Sequence, residues 1–329
     1  MEGGSWACRS RFTTPVVSCE SVLVNSPVPA LPGTYGEAPP GFRLPAGTHL
    51  GPVVLQVSDL DRSLRFYESV LGFSLLRRDD NGAVLAALAS TRPLLELRER
   101  KGVLPVAGRG RLGLFHFAIL LPDRPSLGRF VRHLAEIGVR AGAGDHVVSE
   151  AFYLDDPDGL GIEVYTDRPR ESWQRVGREL VMGTGTVDVP GLVSAAGSTP
   201  WTGMPNGTVI GHVHLHVADI ARASAFYSDA LGFDRVVWSY PGALFFGADG
   251  YHHHLGANTW AGAGALPAAE DEARLIEWTI ELPNSTAVDD VRANITTRGH
   301  VLVRDGDDLL VRDPWGTAVR LRYGSVTPV

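Results

Sequence analysis

A segment near the start of the chain recurs 160 residues later, and this repeat limits the possible folds more than any other feature. Residues 51–73 (GPVVLQVSDLDRSLRFYESVLGF) align with residues 211–233 (GHVHLHVADIARASAFYSDALGF), and 11 of the 23 positions are identical. Self-similarity at this level is typical of a chain assembled from repeated supersecondary units. The chain is therefore expected to fold as a set of related modules.

Each copy has the pattern of a strand followed by a helix. In the first copy Val53, Leu55 and Val57 alternate with other residues, which predicts a half-buried strand. Asp59 then stands where a helix N-cap belongs, and Gly72 stands where a helix usually ends in a left-handed residue. Three more strand-like runs follow the glycine in each copy. The repeated unit is therefore predicted to be βαβββ.

Two weaker copies of the unit begin at residues 114–123 and 275–284. The turn sequences DPDG (156–159) and DPWG (313–316) fall at the same place in these copies, just before the last strand. The chain is thus predicted to be an α+β protein of four βαβββ modules. The modules lie near residues 48–100, 112–167, 208–259 and 273–324.

The modules divide the chain into four segments. Residues 1–46, rich in Pro, Gly and Ser, are predicted to be a flexible N-terminal leader that lacks the features of a signal peptide. Residues 47–167 hold modules one and two, and residues 207–329 hold modules three and four. Residues 168–206, a polar stretch containing Gly and Pro, are predicted to link the two halves.

The composition argues against several classes of protein. Thirty Lys and Arg residues against 37 Asp and Glu give a net charge of −7, which disfavours nucleic acid or an anionic membrane as a partner. No apolar stretch approaches the ~20 residues of a membrane helix. The single lysine, Lys101, leaves no Gly-Lys-Ser/Thr phosphate-binding motif. Cys8 and Cys19 offer neither zinc-site spacing nor a disulfide framework, so a reducing, cytoplasmic location is predicted.

Histidines are concentrated in module three. Six of the eleven lie there: His212, His214 and His216 alternate on the predicted first strand, and a triple histidine opens the strand-like run 252–257. A lone histidine in a strand is usually packed or solvated, but this grouping is a stronger signal. Imidazole is the commonest transition-metal ligand and exchanges protons near neutral pH. Module three is therefore predicted to contribute to a metal or proton-transfer site.

Four motifs carry a resemblance to a known family: HFAILLPD, GDHVVSEAFYLDDPDGLGIEVYTDRPR, GHVHLHVAD and GYHHHLGANTW. With these motifs the chain resembles the vicinal oxygen chelate superfamily, and most closely its two-domain bacterial catechol-2,3-dioxygenase-type (extradiol) proteins. The resemblance covers roughly residues 47–324. It implies that βαβββ modules pair into two open barrels, with a metal held inside a barrel.

The resemblance also implies which positions would hold the metal. In that superfamily one ligand comes from the first strand of a module, seven residues before its loop Asp or Asn, and another comes from the last strand. The first-strand positions of modules one to four are Pro52, His116, His212 and Glu277. The last-strand positions are Leu94, Glu163, His254 and Arg320. Pro52, Leu94 and Arg320 are unable to bind a metal.

These identities favour one pairing of the modules. Pairing one with two and three with four would leave each barrel with an incomplete ligand set. Pairing two with three gives one barrel His116, His212 and Glu163, the two-histidine, one-carboxylate set of non-haem Fe(II) oxygenases. Fe(II) is the expected cofactor, and Mn(II) fits the same ligands. Modules one and four would form a metal-free barrel in which Glu277 and Arg320 face each other.

Three further residues are expected to take part in catalysis. A histidine on the last strand of module three is implied as the acid/base group, and His254 is favoured over His252. Tyr153 matches a tyrosine that hydrogen-bonds the bound diol, and His146 is expected in the same pocket. No role is assigned to His214 or His216. Three large aromatic residues are candidates for the pocket wall: Trp238, Phe246 and Trp260.

The resemblance implies a metal-dependent extradiol dioxygenase that cleaves the ring of a catechol or hydroquinone with O2. Its partners would be a small aromatic diol, O2 and, in a homo-oligomer, further copies of the chain. Two alternatives stay open on the same fold. A glyoxalase-like isomerase or lyase would need a fourth protein ligand, often a second carboxylate. A metal-free small-molecule-binding protein of the bleomycin-resistance type would need no ligand triad.

Overall fold

The computed structural model describes residues 26–106 and 110–324, and the predicted βαβββ unit occurs in it four times. Module one consists of β2 (His49–Val57), α1 (Leu60–Ser69), β3 (Ser74–Arg78), β4 (Gly82–Ala86) and β5 (Pro93–Glu99). Module two consists of β6 (Arg111–Leu120), α2 (Arg124–Glu136), β7 (Gly142–Asp145), β8 (Ser149–Asp155) and β9 (Gly161–Asp167).

The second half of the chain repeats this order. Module three consists of β12 (Val209–His216), α4 (Ile220–Ser224), which continues as a π-helix over Ala225–Ala230, β13 (Asp234–Val237), β14 (Ala243–Gly247) and β15 (Leu255–Asn258). Module four consists of β17 (Arg274–Leu282), α5 (Ser285–Thr297), β18 (Leu302–Asp305), β19 (Asp308–Arg312) and β20 (Ala318–Tyr323). The elements outside the modules are β1 (Val28–Pro29), a 3₁₀ turn (Arg170–Ser172), β10 (Gln174–Val176), β11 (Glu179–Leu180), α3 (Val189–Ala195) and β16 (Leu266–Pro267).

The four module helices begin in the same way. In each, an N-cap side chain accepts a hydrogen bond from the backbone N–H three residues further on, which satisfies a donor that the helix leaves free. These N-caps are Asp59, Asp123, Asp219 and Asn284. Gly72 and Gly232 follow the first and third helices with φ of 81° and 96°, a conformation that favours glycine. The repeated Asp and Gly therefore mark the helix ends, as the sequence predicts.

The modules pair across the two halves of the chain. One sheet has the strand order β13-β14-β15-β12-β6-β9-β8-β7 and therefore joins modules three and two. The other has the order β18-β19-β20-β17-β2-β5-β4-β3 and joins modules four and one. The central pairs, β12 with β6 and β17 with β2, are antiparallel. The predicted pairing of two with three and one with four is confirmed.

Equivalent hydrogen bonds connect the two sheets. The Tyr67 hydroxyl in the helix of module one donates to Asp156 in the DPDG turn of module two, at 3.1 Å. The Tyr227 hydroxyl in module three donates to Asp313 in the DPWG turn of module four, at 2.7 Å. All four groups are buried. One continuous apolar core runs through both sheets.

Residues 26–46, the described part of the chain before module one, pack against the rest of the protein. β1 pairs with β10, and the side chains of Ala30, Tyr35 and Leu44 are buried. The expectation of a flexible leader is therefore wrong for residues 26–46, because a few apolar side chains in this Pro- and Gly-rich stretch are enough to anchor it. The rest of the predicted leader, with Cys8 and Cys19, lies outside the described residues.

The stretch between the halves is folded. β1, β10 and β11 form a three-stranded sheet. Trp173, just before β10, and Leu180 of β11 belong to a buried apolar cluster. α3 packs on α2 so closely that a Cβ on Gly128 would lie 2.2 Å from the Leu192 carbonyl oxygen. Residues 168–206 thus connect the halves as predicted, but as a packed segment. Among the described helices, none is long and apolar enough to cross a membrane.

Candidate metal centre

His116, Glu163 and His212 converge inside the barrel of modules two and three. They lie on the adjacent strands β6, β9 and β12, and all three are buried. One ligand atom from each lies within 4.8 Å of the other two. Glu163 Oε2 is 3.0 Å from His116 Nε2 and 3.3 Å from His212 Nε2. The predicted convergence is confirmed, since these distances suit ligands that share one ion.

Strand register explains the convergence. Ala118, two residues after His116 and therefore on the same face of β6, is the paired neighbour of Glu163 on β9. Ala118 is also the paired neighbour of His212 on β12. The small alanine side chain leaves space between the three longer ones. The sequence separation between the ligands is large, but the sheet brings them together over three strands.

The protonation of Glu163 and His212 fits a divalent cation. Burial raises the pKa of Glu163, but the adjacent imidazoles of His212 and His116 outweigh burial and hold it well below its usual range. Burial lowers the pKa of His212 to about 4, against the opposing effect of Glu163. His116 Nε2 makes no aligned hydrogen bond within the described part of the chain. An anionic carboxylate with neutral, available imidazole nitrogens is the form that binds metals.

A cavity of about 270 Å³ opens at the three residues. Three elements surround it: the two modules of this barrel and the segment between the halves, which contributes Met182, Gly183 and Thr184. The remaining lining residues are Phe115, His116, His146, Ser149, Tyr153, Glu163, His212, His214, Tyr240, Phe245, His253 and Trp260. The contribution of residues 182–184 has no signal in the repeat pattern.

Tyr153 and His146 both line the cavity and contact each other. His146 Nδ1 lies 2.8 Å from the Gly183 carbonyl oxygen, which accepts only, so this nitrogen carries the proton. In the neutral ring Nε2 is then an acceptor, and the Tyr153 hydroxyl, 2.5 Å away, donates to it. Burial, followed by the charge of Glu163, raises the pKa of Tyr153, so the hydroxyl stays protonated. The structure thus brings together Tyr153 and His146 as the sequence predicts.

His254 does not lie at the cavity. Its Nδ1 accepts a hydrogen bond from the Ala248 N–H, and its ring packs near Phe233 and Tyr251. Burial lowers the pKa of His254 to about 3. The prediction of His254 as the acid/base group is therefore wrong, because its side chain does not line the cavity. The alternation that placed it there fails because β15 begins only at Leu255, so the triple histidine precedes the strand.

The pairing register of β12 with β15 also places the fourth ligand position at a residue other than His254. Glu163 lies beside Ala118, two residues after His116, and the equivalent residue of module three lies beside His214, two residues after His212. That residue is Gly256, not His254. A Cβ on Gly256 would come within 2.8 Å of the His214 ring. The position therefore holds no ligand, and His214 fills its space.

His253 is the member of the triple histidine that reaches the cavity. Its ring centroid is 4.1 Å from that of His212. His252 Nε2 lies 2.8 Å from Asp167 Oδ1, which only accepts, so this nitrogen carries a proton. In the neutral tautomer of this kind the other nitrogen, Nδ1, is an acceptor. His253 Nδ1, 2.7 Å from His252 Nδ1, must then donate. The neutral His253 ring is left with an unprotonated Nε2.

Some of the remaining candidate histidine and aromatic residues line the cavity and others do not. His214 lines the cavity, and burial holds its pKa well below the usual range. His216 Nδ1 instead lies 2.7 Å from the side-chain oxygen of Asn258. Of the proposed aromatic walls, Trp260 lines the cavity. Phe246 packs in the core against Tyr227, and Trp238 lies outside the cavity lining.

In the barrel of modules one and four, an ion pair lies where the other barrel has its three candidate metal ligands. Glu277 accepts two hydrogen bonds from Arg320, at 2.6 Å from Nε and 3.1 Å from Nη2. Arg320 also pairs with Asp305 and Asp308. The predicted contact is confirmed. The last-strand position in module one is Glu96 rather than Leu94, because Glu96 is paired with Val54, two residues after Pro52.

Arg320→Leu is expected to lower the free energy of unfolding by about 3–5 kcal/mol, because Glu277 would be left buried and unpaired. The double variant Glu277→Leu/Arg320→Leu is expected to lose much less. Denaturant unfolding of both variants measures the difference, with turnover per folded molecule as the control. A specific loss of turnover in well-folded Arg320→Leu protein would show that the active barrel is the other one.

Comparison with known proteins agrees with this architecture. The family model described as Glyoxalase/Bleomycin resistance protein/Dioxygenase superfamily matches residues 49–164, and the one described as Bleomycin resistance protein-like N-terminal matches residues 210–234. The putative dioxygenase structure from Bacillus subtilis subsp. subtilis str. 168 has a TM-score of 0.58 at 12% identity, covering 84% of this chain and 86% of that one. This structural likeness shows the fold.

Proteins similar in sequence indicate which group of this superfamily the chain is related to. The probable lactoylglutathione lyase of Vibrio cholerae serotype O1 (strain ATCC 39315 / El Tor Inaba N16961) is 29% identical over 127 residues, which cover 35% of this chain and 88% of that protein. The catechol-2,3-dioxygenase of Bacillus subtilis (strain 168) is 46% identical over 271 residues, which cover 81% of this chain and 94% of that protein. The chain therefore belongs to the glyoxalase/bleomycin resistance protein/dioxygenase superfamily, in the group of this bacterial dioxygenase.

Proposed function

We propose that the protein is a metal-dependent extradiol-type dioxygenase, which cleaves the ring of a catechol or hydroquinone with O2. The observation that carries the proposal is the buried group of His116, Glu163 and His212 at the end of a cavity with aromatic walls. The relationship to a bacterial catechol-2,3-dioxygenase, over 81% of this chain, supports the same reaction class.

His116, Glu163 and His212 would hold the metal, and Fe(II) is the expected ion, with Mn(II) as the alternative. Bound there, the metal supplies open coordination positions where a diol and O2 can meet. All three side chains line the cavity, so a metal held by them would be reached from it. The barrel thus positions both reactants next to each other, which is itself a large source of rate enhancement.

Tyr153 and His253 would handle the protons of the diol. Tyr153 donates its one hydroxyl proton to His146 and so turns oxygen lone pairs to the cavity, with which it can accept a hydrogen bond from a diol O–H. His253 presents an unprotonated Nε2, since its Nδ1 donates to His252, and it can accept the proton that a diol loses on binding. It can later return that proton to an oxygen of the opened ring.

The glyoxalase-like alternative is disfavoured by the fourth ligand position. A second carboxylate is expected there for isomerase chemistry, but the position holds Gly256. The metal-free binding alternative is disfavoured by the triad, because three buried ligand-type side chains would have no purpose in an apolar trough.

Oxygen uptake tests the proposed function. The purified protein would be reconstituted anaerobically with Fe(II) and given catechols and hydroquinones in air-saturated buffer, with metal-free protein as the control. We expect one O2 consumed per diol, and both atoms of ¹⁸O2 in the ring-opened product. No uptake with any diol, together with isomerase activity or with no metal bound, would contradict the proposal.

A further inference from the structure

We propose that the barrel of modules one and four holds a second binding site, which takes a small organic carboxylate with an apolar body. A cavity of about 290 Å³ opens in this barrel, similar in volume to the one at the candidate metal ligands. Its charged lining consists of Arg77, Glu96 and Arg322. Such a site would be additional to the metal centre and independent of the dioxygenase reaction.

The cavity corresponds in position to the metal site of the other barrel. Pro52 and Glu96 line it, just as His116 and Glu163 line the cavity of modules two and three. Each glutamate is paired with the residue two positions after the first-strand residue of its module, so the two pairs are equivalent. Proline offers no metal ligand atom. The repeat has therefore kept a cavity in this barrel and changed its chemistry.

A β-bulge in β3 directs two neighbouring side chains to this cavity. The pairing of β3 with β4 shifts by one residue between Leu75 and Arg77, so Leu76 is the extra residue of the bulge. Leu76 and Arg77 both line the cavity, which strict alternation along a strand would prevent. Module three has the same shift, but Val237 stands there in place of Arg77 and belongs to a buried apolar cluster. The arginine thus distinguishes this barrel from the other.

Two guanidinium groups offer donors to the cavity. The Arg77 side chain is exposed and forms no ion pair with any residue in the ranges 26–106 and 110–324. Arg322 donates from Nε and Nη2 to the same oxygen of Glu281, at 3.0 Å from Nε. Its Nη1 is left without a hydrogen bond in this part of the chain. Both arginines can therefore donate to a further anion.

The neighbouring carboxylates are already shared or paired. Glu281, the partner of Arg322, also accepts a hydrogen bond from Arg92 Nη2 at 2.7 Å. Glu96 accepts a hydrogen bond from Arg98 Nε at 2.7 Å. Two arginines thus share one carboxylate and a third holds the other, so Arg77 is left as an uncompensated positive charge beside the cavity.

The remaining acidic side chains of this barrel lie outside the cavity lining. Glu277, Asp305 and Asp308 all pair with Arg320, and none of the four lines the cavity. Their charge exceeds that of Arg320, but a ligand in the cavity would contact Arg77 and Arg322 directly. A carboxylate is the group that such guanidinium donors bind best, because it can accept two of their hydrogen bonds at once.

The rest of the lining is apolar and favours an organic ligand over an inorganic one. It consists of Pro52, Leu76, Val84 and Pro93. An inorganic anion such as phosphate would leave these side chains in contact with water. A ring or short alkyl chain attached to the carboxylate would cover them and gain binding free energy from the buried apolar surface.

Equilibrium dialysis of the Fe(II) holoenzyme against ¹⁴C-labelled benzoate tests the inference. We expect saturable binding that Arg77→Gln weakens at least about tenfold, because hydrogen bonds to a charged group are lost. Arg78→Gln is the matched control, since Arg78 is adjacent on β3, pairs with Asp61 and does not line the cavity. We expect this control to keep the affinity of the natural protein.

Unchanged benzoate affinity in Arg77→Gln protein would overturn the inference. Binding that is kept in Arg77→Gln but lost in Glu163→Ala would place benzoate at the metal centre, and would overturn it as well. Both arginine variants are expected to keep the turnover of the natural protein with diols, because neither residue lines the cavity of modules two and three. Failure of the dioxygenase reaction would leave the benzoate measurement unaffected.

Competition against labelled benzoate identifies the ligand class. Benzamide has nearly the shape of benzoate without its charge, and phosphate has the charge without an apolar body. We expect each to compete at least about tenfold less well than unlabelled benzoate. Equal competition by benzamide would contradict the role of the arginines. Equal competition by phosphate would contradict the role of the apolar lining, and either result would overturn the proposed class.

Discussion

Glu163→Ala is expected to abolish metal binding and, with it, oxygen uptake. Glu163 is the only anionic member of the triad, and its removal leaves two neutral imidazoles to hold a doubly charged ion. Loss of a residue that merely orients a ligand already costs about 10–100-fold in metal affinity, so loss of the carboxylate ligand should cost more than about 100-fold. Metal analysis after Fe(II) reconstitution, followed by oxygen uptake, measures both effects.

Glu96→Ala is the matched control for this variant. Glu96 occupies the equivalent position of module one, in the barrel of Glu277 and Arg320. We expect it to keep both its metal content and its turnover. Retention of one metal per chain in Glu163→Ala protein would place the metal site elsewhere.

His253→Asn is expected to lower turnover by about 10²–10⁴-fold while the metal content stays nearly unchanged. The variant removes the Nε2 acceptor at the cavity but none of the three proposed ligand side chains. Single-turnover oxygen uptake, normalised to bound Fe(II), separates slow chemistry from lost metal.

His254→Asn provides the contrast, because its side chain is turned away from the cavity onto the Ala248 N–H. We expect its turnover per bound metal to stay close to that of the natural protein. If His254→Asn slows the reaction as strongly as His253→Asn, the assignment of the proton-transfer residue is incorrect.

The repeated pattern of the sequence predicts the local structure of each module. The Asp and Gly at the helix ends are local signals, and the structure places helices between them. The pairing of modules followed from the identities of a few residues, because Pro52 and Arg320 exclude a metal from one barrel. Strand partners far apart in sequence leave no local signal, so the pairing had to be inferred from chemistry.

Alternation along the sequence does not predict side-chain direction where the backbone departs from a regular strand. Asp249 and Gly250 both have positive φ, at 51° and 64°, and they turn the chain immediately after β14. The triple histidine therefore follows a tight turn instead of occupying a strand, and alternation no longer tells which ring faces the cavity. The cavity wall of Met182–Thr184 was missed for a related reason, because irregular segments have no periodicity.

The interleaved pairing of modules has a consequence for biosynthesis. When a ribosome has made residues 1–167, β2 and β6 are both complete, but their partners β17 and β12 do not yet exist. Each strand would then present an open edge of unpaired N–H and C=O groups. Apart from pairing β2 with β6, which the completed fold does not do, the nascent first half can satisfy those edges with the second half of its own chain or with another copy of itself. Crowded synthesis would therefore favour exchange of halves between neighbouring chains, and a metal centre completed in this way would contain His116 of one polypeptide and His212 of the next.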